Sequence, residues 1–319
     1  MRSLTSVELC AGGGGQAIGL EFAGFEPLAL VEIDGPSCAT LRTNRPNWNV
    51  IEGDLRAFHA HRYVGVDLLA GGVPCPPFSV AGKQLGSRDE RDLFPEAIRI
   101  AQECRPRAIM LENVRGFLSD IFSGYRSRLK GQLASLGYES DWKLLNASDY
   151  GVPQLRPRVV IVAMPAAAFQ FFRWPDPIPA QAPTVGETLF DLMASGGWRG
   201  AGRWRKQANA IAPTIVGGSK KHGGPDLGPT RARKSWAELG VNGSTIADTA
   251  PDKNFAGMPR LTVEMVARLQ GFPGDWKFSG KKTPAYRQVG NAFPPPVAAA
   301  VAANIRAALA VQTQSARAA

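Results

Sequence analysis

A chain of 319 residues, 44% of them hydrophobic, is long enough for one large domain, or one domain and a smaller companion, and can bury a sizeable core. No apolar run approaches the ~20 residues of a membrane span, and no apolar leader stands ahead of the first strand-like segment, so a membrane or secreted protein is not expected and the cytoplasm is. The net charge is +10, and nine Lys/Arg against the single acid Asp226 fall between Arg199 and Lys234, which reads either as a solvated basic loop or as a footprint for a polyanion, most simply nucleic acid.

In chain order, Ser6–Cys10 reads as a strand, Gly12–Gly15 as a tight turn and Gln16–Phe22 as a helix. A strand over Leu28–Val31 ends at Glu32, a helix covers Ser37–Thr43, and a short strand at Val50 and Ile51 leads to Asp54. Val66–Ala70 is a buried strand that runs into Gly71-Gly-Val-Pro-Cys75; Arg91–Glu103 is amphipathic; Ala108–Leu111 is a strand that delivers Glu112 at its end. Tyr125–Leu136 is helical and Val159–Val162 is a strand. Alternation of helices with uninterrupted apolar strands predicts an α/β domain with a mostly parallel sheet over residues 1–164. Composition then shifts: residues 165–257 are rich in Gly, Pro, Trp and Arg and predict a second, smaller, loop-rich unit. Helical period returns at Leu261–Leu269, and a helix from Pro294 ends in a frayed tail after Val311.

The candidate chemistry sits at strand ends. A glycine turn followed about 20 residues later by an acid, here Gly12–Gly15 and Glu32, is a nucleotide- or cofactor-binding pattern; Asp54 is either a further cofactor contact or a turn residue. Cys75, held between prolines straight after a buried strand, lies at the carboxyl edge of the sheet, whereas Cys10, Cys38 and Cys104 fall inside elements and read as core. Four Cys without a CxxC pair and three His give no zinc set, so free thiols and no metal centre are expected. Glu112 reaches the same edge. Arg156 and Arg158, two apart on an extended chain, point to one side, as a surface salt bridge, a phosphate contact or part of a site.

Taken together these segments resemble the cytosine-5 DNA methyltransferase family along nearly the whole chain. Glu8-Leu-Cys-Ala-Gly-Gly-Gly-Gly15 resembles its cofactor motif, Pro74-Cys-Pro-Pro-Phe-Ser79 its nucleophile loop, Glu112-Asn-Val114 its acidic motif and Gln154-Leu-Arg-Pro-Arg158 its arginine motif. Leu261 to Pro273 resembles the segment after the recognition region, and Tyr286-Arg-Gln-Val-Gly-Asn-Ala292 the last motif. The order of the motifs, more than any one of them, is specific. Pro76 stands where many members have Gln, Cys10 where Phe is common, Ile33 where an aromatic covers adenine, and Ala292 where some members have Ser.

The resemblance implies a class I methyltransferase-like, Rossmann-like doubly wound sheet with a target-recognition domain, and S-adenosylmethionine as methyl donor with S-adenosylhomocysteine as product. Cys75 would be the nucleophile, Glu112 would manage the ring nitrogen, Arg158 with Arg156 would bind the ring carbonyl, and Asn113 would brace the loops. Cys10, Ala11, Gly12, Gly13, Gly14, Glu32, Ile33, Asp54, Leu55, Pro74, Leu93, Asn291 and Ala292 would form the cofactor pocket. Ser79, Lys83, Gln84, Ser87 and Arg88 would contact DNA from the loop after the nucleophile; Thr214, Lys220, Lys221, Arg231 and Arg233 would do so from the recognition region, where residues 219–258 look like an insertion. The substrate implied is double-stranded DNA with the target base flipped out, bound by a monomer in the cytoplasm near the nucleoid, with a cognate restriction endonuclease as a possible companion. A tRNA cytosine-5 methyltransferase is the alternative.

Overall fold

The computed structural model describes residues 3–74, 92–218 and 224–318. Seven strands form one sheet: β1 (Leu4–Leu9), β2 (Phe25–Glu32), β3 (Val50–Glu52), β4 (Leu68–Gly71), β5 (Ala108–Val114), β6 (Tyr138–Asn146) and β7 (Pro157–Pro165), in the order β3-β2-β1-β4-β5-β7-β6. β1 to β5 pair in parallel, β7 runs antiparallel to β5, and β6 pairs antiparallel with β7. The chain winds outward from β1 to β3 and then returns to β4 on the other side of β1. That reversal opens a crevice at the carboxyl ends of β1 and β4, the place where open α/β sheets bind ligands.

Uninterrupted apolar strands are explained by cover on both faces. On β7, Val159, Ile161 and Ala163 pack with Phe94, Ala97 and Ile100 of α3 (Phe94–Cys104) and with Leu129 and Leu133 of α4 (Ser123–Ser135). Val160, Val162 and Met164 point the other way, to Val297, Val301, Ile305 and Leu309 of α11 (Pro295–Ala318) and to the short α5 (Ala166–Phe169). Each such side chain, taken fully from water, contributes about 1.5–3 kcal/mol. The remaining helices in chain order are α1 (Gly15–Phe22), α2 (Gly35–Asn44), α6 (Val185–Ala194), α7 (Ala201–Gln207), α8 (Thr230–Glu238), α9 (Val263–Leu269) and α10 (Lys282–Asn291). A third apolar cluster joins Val185, Leu189, Trp236, Leu261, Met265 and Tyr286 to Ala17, Ile18, Leu30 and Leu41. The glycine- and proline-rich region is therefore welded to α1 and α2.

Several expectations change. β5 does not stop before Glu112 but carries it within the strand, because β7 pairs alongside through Val114. β4 starts at Leu68, and β6 is an additional edge strand. The loop-rich region holds true helices; α6 begins with a capping box in which Thr184 and Glu187 satisfy each other's backbone N–H groups. The tail does not fray at Val311: α11 continues to Ala318, and Arg107 bonds the Leu309 carbonyl and the Thr313 hydroxyl at 3.2 and 2.9 Å. α11 is also apolar over a length that a membrane span needs, but Val297, Ala298, Val301, Ala302 and Ile305 are buried in the core.

Candidate active site

A cavity of about 370 Å³ occupies the crevice at the carboxyl ends of β1 and β4. Glu8, Cys10, Ala11, Gly12 and Gly13 line its floor; Glu32 and Asp34 close one end, Gly72 and Glu112 the other, and Asn291 and Ala292 face them from the end of α10. The turn after β1 is shaped by backbone that favours glycine: Gly12 has φ +55°, and a Cβ there would project into open space. Its N–H donates to Glu32 Oε2 at 2.7 Å, while Asp34 N–H donates to Glu32 Oε1 at 2.8 Å. The acid at the end of β2 is thus fixed across the mouth of the turn, where it lines the cavity. Asp34 then caps α2 by accepting the Ser37 N–H.

The other end is built by cross-strand pairing. Glu112 pairs with Val160 and Val114 with Arg158, so Glu112 and Arg158 are diagonal neighbours on one face of the β5–β7 ladder. Arg158 Nε stands 2.7 Å from Glu112 Oε1, with each side chain 12% exposed. Burial pushes the Glu112 carboxyl above its ordinary value, and the Arg158 and Arg156 charges pull against that shift. A Cβ at Gly72 would stand 3.4 Å from Glu112 Oε2, so the carboxyl lies at the end of β4 where the chain leads to residue 75. Asn113, on the opposite face, donates to the Val73 carbonyl at 3.3 Å and ties that same exit to β5.

Arg156 does something else. It precedes β7, is fully buried, and donates to the carbonyls of Ile215 (2.6 Å), Gly290 (2.8 Å) and Ala292 (2.9 Å). It joins the segment at Ile215 and the end of α10 rather than pairing with Glu112. Gln154 helps by accepting the Ile215 N–H at 2.9 Å, and the Thr214 hydroxyl donates to the Leu155 carbonyl. Thr214 is thereby held beside the arginine motif, and Asn291 bonds the Gly218 carbonyl at 3.1 Å.

Other expected residues fall outside the cavity lining. Gly14 backs onto Trp276 and Leu41; Leu55 is buried in the core; Asp54 caps its own turn by accepting the Arg56 N–H at 2.9 Å. Ile33 is 64% exposed, and the Pro74 carbonyl accepts the Leu93 N–H at 3.0 Å. Cys75, Ser79, Lys83, Gln84, Ser87, Arg88, Lys220 and Lys221 lie outside the described residues. Arg231 is exposed on α8, and Arg233 bonds the Gly228 carbonyl at 2.8 Å.

The lining also holds residues to which the sequence reading assigns no role, among them Gln16, Asp34, Ser37, Arg287 and Gln288, and Glu8, which enters it only as the start of the cofactor motif. The signal available for Glu8 is an acid in the second half of a buried strand. The three described cysteines are poor nucleophiles: burial and the Glu32 charge push Cys10 up to about 12, burial and Glu52 push Cys38 to about 11, and burial pushes Cys104 to about 12. One group of metal-capable side chains, His59, His61 and Glu103, stands apart from the cavity, and there the Arg99 guanidinium already bonds the Glu103 carboxylate.

Comparison with known proteins matches residues 4–307 to the C-5 cytosine-specific DNA methylase family. The chain is 59% identical over 308 residues to the type II methyltransferase M.NgoMIV of Neisseria gonorrhoeae, covering 96% of this chain and 98% of that one. It is 58% identical over 316 residues to the type II methyltransferase M.NaeI of Lentzea aerocolonigenes, covering 97% and 76%. Among solved structures, a Spodoptera frugiperda DNMT2 variant superposes with a TM-score of 0.66 at 18% identity over 95% of this chain and 100% of that one, a likeness of fold.

Proposed function

The chain belongs to the C-5 cytosine-specific DNA methylase family, with the class I methyltransferase fold, and from that premise we propose that it methylates carbon 5 of a flipped cytosine in duplex DNA through a covalent adduct to Cys75. The observation that supports this most is the Glu112–Arg158 pair at one end of a cavity whose other end is the Gly12–Glu32 turn.

The cavity fits S-adenosylmethionine. Its glycine turn admits close approach, its fixed carboxylate suits ribose hydroxyls, and the Gln16 amide and one Glu8 carboxyl oxygen are buried with no partner among the described residues. Cys10, Ala11, Gly12, Gly13, Glu32, Asn291 and Ala292 would hold it, with Ile33, exposed after β2, and Asp54, half-buried after β3 at the same sheet edge, toward the adenine; Gly14, Leu55, Pro74 and Leu93 would support them. When bound, it supplies an electrophilic methyl group for carbon 5.

Carbon 5 of cytosine is a weak nucleophile, and covalent catalysis divides the difficulty. The Cys75 thiolate adds to carbon 6, forming the S–C6 bond and shifting the ring electrons toward carbon 5 and nitrogen 3. Glu112, whose carboxyl burial raises above its ordinary value, would share a proton with nitrogen 3 and so neutralise that charge. Arg158 holds Glu112 in register and donates to the ring carbonyl oxygen. Arg156 orders the carbonyls around it, and Asn113 braces the exit toward Cys75. Once carbon 5 carries the methyl group, its proton passes to solvent, the C–H electron pair forms the C5–C6 double bond, and the C6–S bond breaks to restore the aromatic ring and free the Cys75 thiolate.

The target atom is out of reach in a stacked duplex, so the base leaves the helix. Ser79, Lys83, Gln84, Ser87 and Arg88 would contact the duplex beside the vacated position. Thr214, Lys220, Lys221, Arg231 and Arg233, from a recognition region over residues 165–257, would engage phosphates and bases. Residues 1–164 with 286–319 would form the catalytic domain and 258–285 the hinge. The setting proposed is a bacterial cytoplasm, near the nucleoid, with the enzyme acting as a monomer beside a restriction endonuclease of the same specificity. Labelled methyl transfer to unmethylated genomic DNA, read by bisulfite-type sequencing with tRNA in parallel, tests the assignment: 5-methylcytosine in one fixed context is expected, and incorporation into tRNA alone overturns it.

A further inference from the structure

We infer that His59, His61 and Glu103 form a surface site for a divalent transition-metal ion of the zinc class, separate from the methyl-transfer cavity. Each side chain offers one ligand atom, and the three atoms lie within 4.8 Å of one another. His59 Nδ1 stands 3.3 Å and His61 Nε2 4.0 Å from Glu103 Oε1. The two imidazole rings are nearly parallel, with an interplanar angle of 8° and centroids 6.1 Å apart, so their edges address the same carboxylate oxygen. The histidine side chains are 67% and 72% exposed and that of Glu103 is 10% exposed. An ion therefore enters from solvent on the histidine side, meets a sheltered carboxylate, and completes its shell with water. None of the three residues lines the methyl-transfer cavity.

The set is assembled around Ala60. Its N–H donates to Glu103 Oε2 at 2.7 Å, which fastens the turn to the end of α3 and brings a histidine up on each side of the carboxylate. Arg99, one turn earlier on α3, bonds Glu103 Oε1. Both oxygens are thus oriented by a further partner, as metal-ligating carboxylates are, and an oxygen that accepts one hydrogen bond keeps a lone pair for an ion. Arg99 does not depend on Glu103 for its place: it also donates to Glu96 at 2.7 Å and to the Leu55 and Phe58 carbonyls at 3.2 and 2.9 Å. Its charge opposes a nearby cation, and the Glu96 carboxylate offsets that charge. Two imidazoles with one carboxylate suit zinc, which takes such ligands at about 2.0–2.2 Å; the exposed histidines reach that spacing by small side-chain rotations. Magnesium and calcium want an all-oxygen shell. Sequence order hides the set, because the acid arrives only with the last turn of α3.

The test is a calorimetric titration of the full-length chain with zinc, and it needs no turnover. Wild type is compared with His59→Asn, with His61→Asn and with the double variant. These side chains are largely exposed, so their replacement leaves the fold in place. All four chains keep every cysteine, so zinc held by thiols is common to them and cancels. Wild type should bind one equivalent more than the double variant, and each single variant should weaken that equivalent by at least about 10-fold. Zinc should raise the unfolding midpoint of wild type more than that of the double variant, since the ion ties the turn at Ala60 to α3. Equal zinc binding by wild type and the double variant overturns the site, as does a wild-type chain that binds no zinc. Displacement of the extra equivalent by magnesium at equal concentration also overturns it, because the ligands would then be oxygens.

Discussion

At Glu112 burial and the Arg158 guanidinium pull in opposite directions, and the balance leaves the carboxyl above its ordinary value. Glu112→Gln keeps the shape and a hydrogen-bonding end but cannot share a proton with the ring. Turnover is expected to fall by about 10²- to 10⁴-fold, the usual worth of a positioned proton donor, with S-adenosylhomocysteine affinity kept; single-turnover transfer assays beside calorimetry read both, and full turnover would remove Glu112 from the chemistry. Glu8 allows a separate check on folding. Its folded pKa is raised well above 4.5 by burial and by Glu32, so the folded chain holds this proton more tightly than the unfolded chain does. Its contribution to stability is then complete below the ordinary carboxylate value and is lost as pH rises through the folded one. Glu8→Gln should flatten the decline of stability that sets in as pH rises above the ordinary carboxylate value, read in denaturant melts; profiles that stay parallel would mean that Glu8 does not change its proton on unfolding.

Among the elements, α1 and α11 meet at a point with no room for a side chain. A Cβ at Gly19 would come within 2.5 Å of Ala298 Cβ and of the Pro295 carbonyl. Gly19→Ala therefore overpacks the contact despite its better helix propensity, and a loss of about 1–3 kcal/mol is expected in denaturant unfolding; a stabilised variant would show that the helices separate freely. A second element contact lies at the start of α3. Tyr125 donates its hydroxyl to the Asp92 carboxylate, with oxygens at 2.8 and 2.9 Å, and Asp92 also accepts the Phe94 N–H. Tyr125→Phe should cost about 1.5–3 kcal/mol, as for a hydrogen bond to a charged group, seen as a lowered unfolding midpoint. Most elements were legible because the core strands are apolar on both faces and the helices carry one apolar stripe. β6 was not, although Glu139, Asp141 and Lys143 alternate with Ser140, Trp142 and Leu144: it is an edge strand with exposed charged positions, and apolar runs are the wrong signal for it. The helices of residues 165–257 were obscured by their brevity, although Thr184 and Glu187 mark one start.

Across the whole molecule, the site is assembled from segments that the sequence keeps far apart. Their identity was legible, because Glu112, Arg158 and the Gly12 turn belong to motifs whose order is specific. Their division of labour was not. Arg156 and Arg158 read as a pair on one side of an extended chain, but β7 begins only at Pro157, and Arg156 turns away to carbonyls on two other segments. Sequence spacing describes direction only while the strand continues. This gives the two arginines separable phenotypes. Arg156→Lys supplies one ammonium where a planar fork spans three carbonyls, and leaves buried acceptors unmatched at about 1–3 kcal/mol each. It should lower the unfolding midpoint strongly and reduce soluble yield, with turnover per folded molecule close to wild type at permissive temperature. Arg158→Lys, beside the half-open Glu112, should keep most of the stability and lose turnover, because a lysine cannot hold the carboxylate and the ring oxygen in one plane. Thermal unfolding and single-turnover transfer on both variants decide it: equal stability losses with equal losses of turnover would mean that the two arginines act as one unit, and that the recognition region is not fastened to the catalytic sheet through Arg156.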